Sequence, residues 1–428
     1  MEISQGRKPG KERLLDNIVS LYLLQGLNYL IPLAVLPYLV RVLGMETYGL
    51  IAFAQSFAQY FNILTDYGFN FSATRFIAQN RQSPEAISRA FCCVYLIKFF
   101  LAGIGLILLL ALLTVIPRLR HDAMFFAAGF LAVLGSVLFP IWYFQGIEKM
   151  RYISFLTGAP KILSAVLLFV LVRRPQDALL AITIQSMGVV VAGALGLWFA
   201  LRDIRIQFEW PSWPELRNTF EEGWHLFVSS AAISLYTNTN VFLVGMLAGN
   251  TQAGYFSAAE KMIRAMNGLI GPITQAIFPH INSLARHSAD VALAFISKSL
   301  AWLAALTIVP SLVMLFLAKP ITLLFFGAGG AGSVGVVRWI ALLPFLIAVS
   351  NILGTQTMVT FGLDRQFSRI LIASGLLNIV IAVPLIKLFA AQGAGASVLI
   401  AETVVTVTMA FVLRKHNIHV FRFRSTEA

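Results

Sequence analysis

Apolar residues in this chain come in runs of about 20, broken by short charged joints. Coiled into a helix, a run of that length matches the roughly 30 Å hydrocarbon core of a bilayer. At that depth no water is available to backbone N–H and C=O groups, so each run must satisfy them internally, as a helix does. Composition points the same way: of 428 residues, 58% are hydrophobic and 12% charged, against roughly 25% charged in a soluble domain. A soluble globular enzyme is excluded. Lys and Arg number 32 against 19 Asp and Glu, a balance of +13, which fits either nucleic acid or the positive-inside bias of a polytopic membrane protein.

The distribution decides between them. Windows of about 19 residues predict twelve spans, near 17–40, 47–66, 91–115, 123–144, 152–172, 178–200, 222–247, 254–279, 293–317, 332–357, 368–389 and 393–413. Every second joint is basic: Arg7, Lys8, Lys11 and Arg13; then Arg75, Arg81 and Arg89; Lys149 and Arg151; Arg202, Arg205 and Arg217; Arg286; Arg365 and Arg369; and Arg414, Lys415, Arg422 and Arg424 at the end. The joints between them carry fewer cations, among them Arg41 and Arg118. Both termini are therefore expected in the cytoplasm, which needs an even number of spans, and the excess charge requires no nucleic acid. Met1 to Asp16 is basic and polar and the apolar stretch after it lacks a small-residue cleavage site, so an uncleaved first span is expected.

No joint is long enough for a separate catalytic domain. Trp210-Pro-Ser-Trp213-Pro, rich in interfacial aromatics and turn residues, reads as the hinge between halves. The expected organisation is a six-helix lobe over 1–200, a cytoplasmic linker over 201–221, a second six-helix lobe over 222–413 and a basic tail over 414–428. Cys92 and Cys93 are adjacent and can neither staple a fold nor fill a metal shell. No metal or cofactor is expected.

An internal repeat is visible. Leu43-Gly44-x4-Gly49-x4-Ala54-Gln55 is echoed by Ala248-Gly249-x4-Gly254-x4-Ala259-Glu260, at an offset of 260 − 55 = 205. Gly146-Ile147-Glu148-Lys149 also echoes Gly362-Leu363-Asp364-Arg365. The expected fold is all-α, with about twelve transmembrane helices in two parallel six-helix lobes.

Polar residues inside the spans are the candidate site. Gln55, Gln59, Asn62 and Asp66 share one face of the second span; Glu260, Arg264, Asn267 and Gly271 share the matching face of the eighth. A charge facing lipid costs about 2.5–3.5 kcal/mol even on the lenient insertion scale, so these stripes are expected to face a cavity or each other. Arg264 lies about 15 Å in from Gly254, near the midplane, with Glu260 one turn away and Lys261 beside it. Amide packing in a dry interior is the competing reading for Gln55, Gln59 and Asn62. Lys161 follows Pro160 midway along the fifth span, and Glu402 stands midway along the twelfth with no obvious partner. Lys98 and Lys298 are placed to reach the headgroups. Gln25, Asn28, Tyr236, Asn238 and Asn240 on the first and seventh spans offer hydrogen bonds to hydroxyl-rich ligands. Counted together, the embedded charges are net cationic, which favours an anionic substrate. Pro32 and Pro37 are expected to interrupt the first helix.

Tyr255-Phe-Ser-Ala-Ala-Glu260-Lys261-Met-Ile-Arg264-Ala-Met-Asn267-Gly-Leu-Ile-Gly-Pro-Ile, with Phe278-Pro279-His280, resembles the signature region of bacterial O-antigen flippases of the Wzx type. So do Asp66-Tyr67-Gly68-Phe69, Ala73-Thr74-Arg75, Leu36-Pro37-Tyr38-Leu39 and Tyr48-Gly49. The resemblance implies membership of the superfamily that includes multidrug and toxic compound extrusion antiporters and lipid II flippases. It implies a V-shaped pair of lobes moving an undecaprenyl-pyrophosphate-linked oligosaccharide between the leaflets of the bacterial inner membrane by alternating access. It further implies lumen roles for Glu260, Lys261 and Arg264, and a polysaccharide polymerase and chain-length regulator as partners. No Gly-x4-Gly-Lys-[Ser/Thr] loop is present, so drive would come from the substrate or from a proton or sodium gradient, with Glu260, Asp66 and Glu402 the candidate coupling acids. A drug antiporter of the same superfamily would need an acidic, aromatic lumen. A polyprenyl-linked glycan enzyme would need catalytic groups on large outer loops, and the first has only Glu46.

Overall fold

A computed structural model of the chain describes residue 26, residues 29–204 and residues 210–420. Among them every regular element is helical: α1 (29–43), α2 (Met45–Asp66), α3 (Phe69–Gln79), α4 (Pro84–Val115), α5 (Pro117–His121), α6 (Ala123–Leu138), α7 (Ile141–Gly146), α8 (Met150–Leu171), α9 (Ala178–Ile204), α10 (Trp213–Ala248), α11 (Asn250–His287), α12 (Ala289–Phe316), α13 (Ala318–Phe326), α14 (Ser333–Ile340), α15 (Leu343–Asn351, widening into a π-helical turn over Ile352–Val359) and α16 (Asp364–Lys415). Seven helical stretches are long and apolar enough to cross a membrane. One of them, α16, would be about 78 Å long if straight, but it breaks at Ala390 (φ 50°, ψ −130°). It therefore supplies the last two spans as a tight pair, and a Cβ on Gly393 would fall 2.0 Å from the Leu385 carbonyl oxygen. The remaining predicted spans correspond to α1, α2, α10 and α11.

Helix ends follow local chemistry. Ser83 Oγ accepts from Ala86 N ahead of Pro84 in the first turn of α4. Ser212 and Glu215 form a capping box that starts α10 at Trp213. The helix thus begins inside the stretch expected as linker, and the signal, Ser-x-x-Glu before a long apolar pattern, was present in the sequence. α1 runs on through Pro32 and Pro37 without a break.

The 205-residue repeat is structural. Gly44 (φ 79°, ψ 162°) and Gly249 (φ 95°, ψ 172°) open α2 and α11 in the same backbone conformation, one that glycine alone adopts readily. The second echo is out of register. The turn before α8 bonds Glu148 N to Gln145 O and Lys149 N to Phe144 O; the turn before α16 bonds Gly362 N to Val359 O and Leu363 N to Met358 O. The matching offset is 362 − 148 = 214, so Gly146 aligns with Thr360 rather than Gly362. The sequence match had aligned residue types two positions away from the shared backbone geometry.

α4, α6 and α9 gather round α2, with α8 packed on α9, while α12, α14, α15 and α16 gather round α10 and α11. α2 packs in turn on α10 and α11, with Phe53, Phe57 and Tyr60 against Phe242. Arg118 donates to Asn250 Oδ1 at 2.9 Å and Arg41 to the Leu324 carbonyl. Two cations on the sparsely charged face therefore tie the first half to the second. Large apolar side chains stand exposed on the outer helix surfaces, including Phe100, Ile107, Val380 and Leu388. Such a surface is stable against lipid and not against water, and the chain is a multi-pass membrane protein.

Candidate functional site

The polar stripe of α2 turns inward within the first half. Gln55, Gln59 and Asn62 line a cavity of about 610 Å³ with Ile31, Pro32 and Val35 of α1, Thr157, Lys161 and Ser164 of α8, and Gln185 and Ser186 of α9. Gln55 Nε2 donates to Gln185 Oε1 at 3.1 Å, Gln185 Nε2 to the Ala181 carbonyl, and Asn62 Nδ2 to Gln59 Oε1 at 3.3 Å. Asn62 Oδ1 is buried and accepts no hydrogen bond. Lys161, half-buried, is the one charged side chain among the described lining residues.

The equivalent stripe of α11 is built the same way and charged differently. Adding 205 carries Gln55, Gln59 and Asn62 onto Glu260, Arg264 and Asn267. Arg264 Nη2 donates to Glu260 Oε1 at 2.9 Å and to Asn238 Oδ1 of α10 at 3.3 Å. Glu260 precedes Arg264 by four residues, the favourable direction for a helical ion pair. Asn238 Nδ2 donates to Ser234 Oγ. The Arg264 side chain remains 45% exposed and that of Glu260 21%, so the guanidinium has open space beside it at mid-helix. Tyr29 of α1 packs on Gly268, one turn along. Asn267 Oδ1, like its counterpart, is buried without a hydrogen bond.

The other predicted residues are not brought to these two places. Lys261 points across to the first half, its Nζ 5.2 Å from the centre of the Tyr48 ring, a contact of about 0.5–2 kcal/mol. Asn240 is buried against Asn378 of α16, which donates to it at 3.4 Å. Glu402 accepts from Ser350 Oγ at 2.6 Å inside the second half; the partner missing in the sequence comes from a residue 52 positions away. Asp66 pairs with Lys98 at 3.3 Å. Lys98 is 1% exposed and does not reach the headgroups, because Asp66 and the Ser136 carbonyl hold it inside. Lys298 is exposed. Gln25 and Asn28 lie outside the described residues.

This pairing revises the charge balance. Asp66 with Lys98 and Glu260 with Arg264 cancel locally, which leaves Lys161, Lys261 and Glu402 as the other charges held inside, Lys261 over Tyr48 and Glu402 on Ser350. Among the described residues no cluster of three or more His, Cys, Asp and Glu is placed to hold a metal ion.

Residues 14–285 match the family described as "Polysaccharide biosynthesis protein". The chain is 35% identical to a protein of Escherichia coli (strain K12) named "Putative O-antigen transporter", over 95% of this chain and 98% of that one. It is 30% identical to a protein of the same name from Shigella dysenteriae, over 92% and 98%. Among solved structures it is similar to an inward-facing multidrug resistance transporter of the MATE family (TM-score 0.64, 13% identity, 94% and 96% covered) and to the lipid II flippase MurJ in an inward closed conformation (TM-score 0.61, 12% identity, 90% and 87% covered). At those identities the structures establish the fold.

Proposed function

The chain belongs to the polysaccharide biosynthesis protein family, and we propose that it is a flippase for undecaprenyl-pyrophosphate-linked oligosaccharide repeat units. It moves them from the cytoplasmic to the periplasmic leaflet of the bacterial inner membrane, with both termini cytoplasmic, in O-antigen or exopolysaccharide synthesis. As with the relatives named transporters, its work is translocation and not an enzymatic reaction.

The observation that carries this reading is Arg264: a guanidinium inside the long helix α11, ion-paired yet 45% exposed. A pyrophosphate and sugar headgroup cannot enter hydrocarbon, so a pathway must replace their hydration with cations and hydrogen-bonding amides. Arg264, Asn238 and Asn267 on α10 and α11 supply that set, and arginine offers the planar donor fork suited to phosphate oxygens. Glu260 holds the guanidinium in place and is the acid proposed for coupling to a proton or sodium ion. Lys261 on Tyr48 is assigned to the seam and rearranges if the halves rock, whereas Asp66 on Lys98 is assigned to the first half's interior and moves with it. A polymerase and a chain-length regulator would take the product on the far side.

Cells lacking the protein test the proposal. Single repeat units on polyprenyl pyrophosphate, resistant to a glycosidase confined to the periplasm, are the expected result. Units accumulating in accessible form would instead place the defect after translocation. Absence of any accumulation, with new sensitivity to cationic toxins, would favour drug antiport.

A further inference from the structure

We propose that Arg41 and Arg118 are paired latches that hold the two halves shut at the sparsely charged face, which is the periplasmic face on the flippase reading. The proposal rests on that reading only in requiring the halves to part, and it names the bonds that break when they do.

Both arginines belong to the first half and reach acceptors in the second. Arg41 of α1 donates through Nη2 to the Leu324 carbonyl of α13. Arg118 of α5 donates through Nη2 to Asn250 Oδ1 at 2.9 Å and to the Gly245 carbonyl of α10 at 3.4 Å. Leu324 and Gly245 lie within the last four residues of their helices, where carbonyls have no partner in the regular helix and the helix dipole favours a cation. Each guanidinium therefore sits at a helix C-terminus of the opposite half.

The repeat relates the two contacts. α1 and α10 lead into the matched glycines Gly44 and Gly249 and are counterparts. Ser83 and Ser288, again 205 apart, cap α4 and α12 by accepting from Ala86 N and Val291 N, so the short helices that follow, α5 and α13, are counterparts as well. Arg41 joins α1 to α13 and Arg118 joins α5 to α10, the same two elements with the halves exchanged. The ties are thus related by the pseudo-two-fold axis, although the cation comes from the first half both times.

The close backbone contact at this face lies beside them. Asn250 turns its carbonyl to Gly49 and its amide oxygen to Arg118, and Arg41 precedes by four residues Met45, whose carbonyl faces Gly254. The glycines supply shape there, and the arginines add directional bonds. Both arginine side chains are exposed and their acceptors are neutral, so water replaces each partner when the halves separate and no buried charge is left behind. Such ties hold the face shut and still release.

The test is a distance measurement across this face in the full chain in lipid nanodiscs, by double electron–electron resonance between spin labels at His121→Cys on α5 and Ala331→Cys after α13, both exposed positions. Arg41→Gln and Arg118→Gln should each raise the ratio of long to short distances roughly tenfold, and the double variant roughly a hundredfold. Asn250→Asp, which turns the Arg118 bond into an ion pair, should shift the ratio the other way. Arg120→Gln, exposed on the same short helix, should change nothing. An unchanged distribution in the double variant at normal thermal stability, an equal shift in Arg120→Gln, or longer distances in Asn250→Asp would overturn the proposal. The distances need no substrate, so they fail independently of the leaflet assay that tests the flippase reading.

Discussion

Gly49 and Gly254 stand 205 residues apart and each closes on the backbone of the other's repeat. A Cβ on Gly49 would fall 1.8 Å from Asn250 O, and one on Gly254 would fall 2.3 Å from Met45 O. Because 250 − 45 is also 205, the two contacts are one contact seen twice about a pseudo-two-fold axis. The first turns of α2 and α11 are pressed together there with no room for a side chain, and the sparsely charged end of the seam is shut.

Gly49→Ala or Gly254→Ala should therefore force the helices apart, at about 1–3 kcal/mol each. Ser257, 3% exposed and facing Tyr48 at 3.4 Å, reports on this opening. A Ser257→Cys substitution should resist a membrane-impermeant thiol reagent alone and react with it in either glycine variant. Continued protection would mean that the seal tolerates the methyl group. Cys92 and Cys93 are buried and should give little background.

Arg264→Ala should abolish export with normal protein levels in the membrane, whereas Arg264→Lys, which keeps charge but loses the fork, should retain part of it. Arg264→Cys should react with the same reagent, since that side chain is 45% exposed. Normal export by the alanine variant would remove Arg264 from the pathway.

Lys98 is buried and Asp66 is 35% exposed. Breaking a buried pair costs about 3–5 kcal/mol because the survivor is left uncompensated, and the partial exposure of Asp66 puts Asp66→Asn toward the low end. Lys98→Met combined with Asp66→Leu should recover most of the loss. Thermal unfolding in detergent measures both, and equal stability of Asp66→Asn and wild type would mean that Lys98 finds another partner.

At the basic face, the Arg81 guanidinium lowers the Glu148 carboxyl below its usual range through a 2.8 Å hydrogen bond and its charge. A depressed acid contributes stability above its unfolded pKa and loses it as pH falls through the folded one. Wild type should melt slightly above Glu148→Gln at pH 7, and the gap should close as pH drops below the ordinary glutamate range, about 4.3. A gap that persists or widens in acid would assign the effect to the positive φ of residue 148.

Much of this architecture was legible in the residues. Run length and the 19-residue window placed helices where the described residues have them, seven stretches being long and apolar enough to cross a membrane, because a bilayer admits few alternatives to a helix of that length. Identical glycines 205 apart exposed the duplication, since close approach tolerates no other side chain. The shared face of Gln55, Gln59 and Asn62 followed from helical period alone. Partners did not follow. Glu402 with Ser350, Asp66 with Lys98 and Asn240 with Asn378 join residues 52, 32 and 138 positions apart, and a helical wheel is silent about which neighbouring helix a face meets. A count of embedded charges therefore suggested one cationic lumen, where packing gives a cavity beside Lys161, a half-exposed Arg264 elsewhere and two cancelled pairs.

The sequence by itself determined that the chain crosses a membrane repeatedly, that its two halves are copies, and which helix faces are polar, because solvent and helical period constrain each residue locally. Only the tertiary structure decided that Lys161 joins the α2 stripe, that Arg264 stays half open beside Glu260 and Asn238, and that Lys261 turns away to Tyr48. Those choices depend on which helices pack together, and the energy of a buried charge is set by partners brought near in space.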